Sequence, residues 1–137
     1  MKDNHSRLHI ILVLAICLAL TILWFGKGML LGSAESGLPF YDLGKYVQIN
    51  KWAWAYPALG NSTGVHVAGY PTYLVLSIVQ KLGIPGFLIE AFVFFAILSV
   101  AGLSIYWLTR ELYPQIKSKF ALLAAIFYLF NPFFLIN

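Results

Sequence analysis

Residues 87–108 read FLIEAFVFFAILSVAGLSIYWL, twenty-two residues with Glu90 as their one charge. A helix of that length rises about 33 Å and crosses the roughly 30 Å hydrocarbon layer of a bilayer. Residues 10–31, IILVLAICLALTILWFGKGMLL, form a second run, dense to Phe25 and weaker from Met29 to Leu31. A third occupies 120–137. The whole chain is 61% hydrophobic and 10% charged, whereas a soluble domain carries about 25% charged residues. Lipid rather than a self-made core is the natural solvent for such runs. The chain reads as all-α, a multi-pass transmembrane bundle with spans near 10–31, 87–108 and 120–137.

The net charge of +4 does not point to nucleic acid, because the basic residues flank apolar runs instead of forming a patch. Cys17 is the one cysteine; neither a disulfide nor a cysteine metal site follows from it. The first run has a rival reading as a secretory signal peptide, with Gly32-Ser33-Ala34 as its small-residue cleavage site. It is long for that role, and Lys27 interrupts its end. The last run has no polar flank after it, although a span ordinarily ends in interfacial anchors or charges. That predicts a single N-terminal membrane region, 1–137, of a longer chain.

Between the first two spans lies a connector, residues 32–85, with structure of its own. Over 45–56, Tyr46, Ile49, Ala53 and Tyr56 recur at helical spacing while Lys45, Gln48 and Lys51 take another face. Trp52 and Trp54 add amphipathic rings, which is the pattern of a helix lying in the membrane interface. Asp42 is placed to cap it, and Pro57 ends it. Residues 71–82 predict a second interfacial helix, with Pro71 in its first turn and Gly83 just past its end. Twelve residues rise about 18 Å, too little to span.

Charge sets the orientation. Lys2 and Arg7 place the N-terminus in the cytoplasm, and Arg110, Lys117 and Lys119 crowd one short loop. Both clusters share a side only if an even number of crossings separates them. Counting 10–31 and 87–108 gives two; adding 71–82 would send the densest basic loop outside. Length and charge agree that 71–82 does not cross. The connector then faces outward from the cell membrane.

Several residues of this stretch carry candidate chemistry, each with a plainer alternative. Glu35 is either a solvated loop acid or a carboxylate held at the outer surface, able to take a proton from a sugar hydroxyl. Asp42 is a helix cap or a second catalytic candidate. Glu90, about one turn inside its span, either snorkels to the surface or has a partner or a task. Lys45 and Lys51 either anchor at the interface or meet a phosphate head group. His66 stands alone in a Gly-rich loop, so no metal site is assigned to it; it remains a substrate-binding candidate. The aromatic residues from Phe40 to Tyr73 form an interfacial belt or a surface for sugar rings or isoprenoid. Asn61-Ser62-Thr63 matches the N-glycosylation pattern on the predicted outer side. P-loop, GxGxxG and nucleophile-elbow motifs are absent.

Ala34-Glu35-Ser36-Gly37-Leu38-Pro39-Phe40-Tyr41-Asp42 resembles the acidic start of the first outer loop in GT-C-fold glycosyltransferases. The run from Ala101 to Arg110, with Tyr128 and Asn131-Pro132-Phe133 after it, is similar to archaeal and actinobacterial arabinofuranosyltransferase- and mannosyltransferase-like members. The resemblance implies an enzyme that moves a sugar from a polyprenyl-phosphate donor to a glycan, lipid or protein acceptor on the outer face. It implies Glu35 as catalytic base or metal-adjacent acid, with Asp42 as substitute, and leaves a divalent cation open as cofactor. Many relatives carry an adjacent acidic pair where this chain has Glu35 between Ala34 and Ser36. Such enzymes have many more spans, so this region alone is not expected to be active.

The competing class is a non-enzymatic multi-pass protein: half of a transporter or flippase, or a scaffold subunit. Transporters place broken helices and charges at the midplane. Acids near the outer interface favour the transferase.

Overall fold

The computed structural model describes residues 4–28, 40–51 and 69–131. Those residues form five helices: α1 (Asn4–Phe25), α2 (Leu43–Asn50), α3 (Tyr70–Lys81), α4 (Gly86–Leu112) and α5 (Ser118–Leu129). Among them there is no strand. Helices α1 and α4 are long and apolar enough to cross a membrane. Only 28% and 33% of their most apolar stretches are buried within the chain. The core helix of a soluble protein would be mostly buried, so these two present their apolar surface outward.

The contacts divide the chain into two compact units, Met1–Gly26 with Val93–Asn137, and Lys27–Phe92. The first unit is built on α1, most of α4, and α5. Val13, Cys17 and Leu20 line one side of α1 and share a core with Leu98 and Tyr106 of α4 and Ala121, Ala125 and Leu129 of α5. Spacings of three, four and eight residues put each set on one side of its helix. Small residues set the closeness of the packing. A methyl group added at Gly102 would stand 3.0 Å from Val13 Cγ1 and 3.1 Å from Leu129 Cδ1, the use of glycine expected where helices meet in lipid. Trp24 meets Phe94 edge to face, with ring centroids 4.9 Å apart. Two threonine hydroxyls inside the helices bond locally: Thr21 donates to the Cys17 carbonyl at 2.9 Å and Thr109 to that of Ile105 at 2.8 Å.

Three boundaries of the expected spans differ from the sequence reading. The first span does not continue as helix to Leu31. It closes at Phe25, where Gly26 N–H bonds the Ile22 carbonyl at 2.8 Å and Gly28 takes a φ of +70°. That left-handed conformation ends a helix at little cost only in glycine. Helix α4 passes the expected stop at Leu108 and runs through Arg110 and Glu111 to Leu112. The charge pair does not end a helix; Pro114 does, by disfavouring helical geometry at Tyr113. Helix α5 stops at Leu129 after 12 residues, about 18 Å, shortly before Asn131-Pro132. The rest of the expected third span, residues 132–137, lies outside the described residues.

The second unit contains α2, α3 and the first turns of α4. Helix α2 begins at Leu43, two residues earlier than expected, because Asp42 adopts non-helical geometry and its Oδ1 accepts from Lys45 N–H at 2.9 Å. This is the N-cap arrangement that satisfies an otherwise orphaned donor. Helix α3 spans 12 residues with proline in its first turn. Leu43 is fully buried, and α2 packs along α3.

Candidate functional site

Asp42 and Lys45, which the sequence marks for catalysis and substrate binding, lie one turn apart at the start of α2 and are joined through the cap bond. Lys45, Gln48 and Lys51 are all exposed, as their shared face requires. Lys51 follows the last residue of α2 as its C-cap. Glu90 is on a different helix, in the first turns of α4, and is 7% exposed. Such burial is incompatible with a carboxylate snorkelled out to water; Glu90 is partnered, as an acid at that depth requires. Glu35 and His66 lie outside the described residues, as do Trp52, Trp54 and the Asn61-Ser62-Thr63 sequon.

What holds α2 in place is a residue the sequence reading passed over. Gln80, near the end of α3, accepts from Leu43 N–H through Oε1 at 2.9 Å. Its Nε2 faces the carbonyls of Phe40 and Tyr41 at 3.2 and 3.3 Å. One side-chain amide thus serves donor and acceptor groups of the segment that leads into α2, which would otherwise be left unmatched as that segment packs down. Gly86 makes room for the same segment: any Cβ there would collide with the Phe40 carbonyl oxygen. Tyr46 stacks edge to face on Tyr73, centroids 4.9 Å apart. Burial pushes the Tyr46 phenol above its ordinary value, and the neighbouring Tyr73 phenol adds to the shift. The signal for this joint was present as Tyr73, Ser77 and Gln80, polar groups at i, i+4 and i+7 of an otherwise aliphatic helix.

Chemically, the described part of the connector offers a capped helix start and an exposed basic face, and α4 contributes a buried acid in its first turns. The Asp42 carboxylate is committed to its cap bond. Among the described residues, no three His, Cys, Asp or Glu side chains gather as a metal-holding group.

No family model, curated protein or solved structure matches the chain. The site must therefore be interpreted on its own geometry.

The cap yields a direct test. Asp42→Ala is expected to cost about 1 kcal/mol of local helix stability, while Asp42→Asn should be nearly neutral, because Asn caps as well as Asp. Tryptic cleavage at exposed Lys45 reads the fraying of α2. Faster cleavage in both variants, or in neither, would show that the cap bond does not hold the helix start.

Proposed function

We propose that this chain is the N-terminal part of a multi-pass membrane glycosyltransferase that moves a sugar from a polyprenyl-phosphate donor to an acceptor on the outer face. The observation that carries the reading is the built connector. A linker between two membrane-length helices needs no internal architecture, yet this one has a side-chain-capped helix, a buried Leu43 and a three-way glutamine joint. Long connectors with structure of their own are ordinarily functional. The cytoplasmic N-terminus follows from Lys2 and Arg7 together with Arg110, Lys117 and Lys119.

In this reading Glu35 accepts the proton of an acceptor hydroxyl as its oxygen bonds the anomeric carbon. The bond from that carbon to the phosphate oxygen breaks, and polyprenyl phosphate leaves with the electron pair. Lys45 and Lys51 supply positive charge for that phosphate, and each is worth about 1 kcal/mol near an anionic membrane surface.

Two measurements test the proposal. Sugar transfer by the complete protein in membranes, from a lipid-linked donor, must be detectable; a complete protein with two inverted, similar halves and no transfer would favour a transporter instead. Orientation is tested in Cys17→Ala by single cysteines at Gln48 and Lys117, both exposed, with an impermeant thiol reagent. Ser77 is unsuitable because it is 4% exposed. The expected result is labelling of Gln48→Cys in intact cells and of Lys117→Cys only after the cells are opened. Labelling of Lys117→Cys in intact cells would reverse the topology.

A further inference from the structure

Helix α3 is amphipathic in the reverse sense. Its exposed positions include Leu74, Val75 and Ile78, and Leu82 just beyond its end is 77% exposed. At 100° per residue these four fall within an arc of about 100°. Three of its polar side chains are turned the other way: Tyr73 stacks on Tyr46, Gln80 grips the start of α2, and Ser77 is buried with its hydroxyl bonded to the Leu74 carbonyl at 2.8 Å. A surface helix in water does the opposite, burying its aliphatic stripe and exposing its polar one.

We infer that the Leu74, Val75, Ile78 and Leu82 face of α3 is immersed in the acyl chains of the bilayer, and that α2 rides on the far side of α3, away from the hydrocarbon.

Two further features identify lipid as the occupant. The aliphatic strip does not stop at α3. Along the chain it is followed by Ile84, Leu88 and Phe92, all exposed, the last two in the first turns of α4, a helix long and apolar enough to cross a membrane. Charge agrees: Lys81 flanks the strip in the last turn of α3, and Lys45 and Lys51 are exposed on α2. Asp42 is the one exposed acid described between residues 40 and 92, and it is occupied by its cap bond. An aliphatic face with a cationic border fits an anionic lipid surface. Helix α3 is the lipid-contacting layer, and α2 presents Lys45, Gln48 and Lys51 towards the aqueous side.

The inference rests on the membrane reading of α1 and α4 but is independent of sugar transfer. Its test uses the full chain with Cys17→Ala and one nitroxide-labelled cysteine at Val75, Ile78, Gln48 or Val100, in phosphatidylcholine–phosphatidylglycerol vesicles. All four positions are exposed, so labelling leaves the packing intact. Collision with oxygen, enriched in hydrocarbon, is compared with collision with a water-soluble nickel chelate. The expected result is oxygen-dominated relaxation at Val75, Ile78 and Val100, and nickel-dominated relaxation at Gln48. Nickel access at Val75 and Ile78 with oxygen access at Val100 overturns the inference and leaves the spans standing. Shielding of Val75 and Ile78 from both reagents overturns it in favour of a covering protein surface. Nickel access at Val100 removes the membrane reading itself.

Discussion

Replacing Glu35 by Gln is expected to lower sugar transfer by the complete protein about 100- to 10,000-fold, the usual loss when a positioned general base is removed. The amide keeps the shape and hydrogen-bonding reach of the acid but cannot hold the acceptor's proton. Donor binding should therefore persist while turnover falls. Glu35 is chosen for its place in the sequence: it closely follows the first apolar run, in the connector that the proposed topology puts outside, within the stretch that resembles the acidic outer loop of GT-C enzymes. Asp42 is the internal control. Its carboxylate is bonded to Lys45 N–H, so Asp42→Asn should retain transfer within a few-fold, consistent with a cap change of about 1 kcal/mol or less. Transfer is compared in membranes at equal expression. Near-normal turnover in Glu35→Gln removes the assignment, and a collapse in Asp42→Asn alone moves it to Asp42.

Gly86→Ala is expected to loosen the joint that holds α2 against α3. The added carbon would occupy the place of the Phe40 carbonyl oxygen, and it also stands 3.5 Å from Gln80 Nε2. Since the obstacle is backbone rather than the free end of a side chain, the Phe40–Leu43 segment must move. The three contacts of Gln80 then lengthen together. Overpacking of this kind costs about 1–3 kcal/mol, and lost hydrogen bonds add about 1 kcal/mol each. Gly44→Ala provides the contrast. Its new methyl meets only Asp42 Oδ1, at 3.5 Å, and alanine inside a helix is favoured over glycine by about 0.5–1 kcal/mol. Limited proteolysis of the detergent-solubilised chain should show faster cleavage near Lys45 and Lys51 for Gly86→Ala and slower cleavage for Gly44→Ala. Equal protection of the two variants would mean that the close approach at Gly86 does not hold the joint.

The helices were legible where composition alone decides them. Uninterrupted aliphatic and aromatic runs announced α1 and α4, proline at the start and glycine past the end framed α3, and Asp42 announced α2. Their ends were less legible, because stopping a helix depends on backbone geometry more than on charge: Gly28 and Pro114 outweighed the weak apolar extension to Leu31 and the Arg110-Glu111 pair. Gln80 was missed for a different reason. A glutamine in an apolar helix carries no pattern of its own; its role arises only when α2 arrives and exposes unmatched amide groups. Glu90 could not be assigned either, since spacing says how deep a residue lies along a helix but not what faces it. Glu35 and His66 lie outside the described residues, and their roles rest on sequence.

Helix α4 has 27 residues, which amounts to a rod of about 40 Å against a hydrocarbon layer of roughly 30 Å. If α4 crosses the bilayer as proposed, the excess length is met by tilting the helix, thickening the bilayer locally, or leaving the polar end outside. The composition of α4 favours the last response, since Thr109, Arg110 and Glu111 occupy its final turn. Arg110 there meets the partial negative charge at a helix C-terminus. The protein should therefore tolerate thin and thick membranes unequally. Thickening the bilayer would draw the final turn of α4 into hydrocarbon and desolvate Arg110, whereas thinning it would only lengthen the polar overhang.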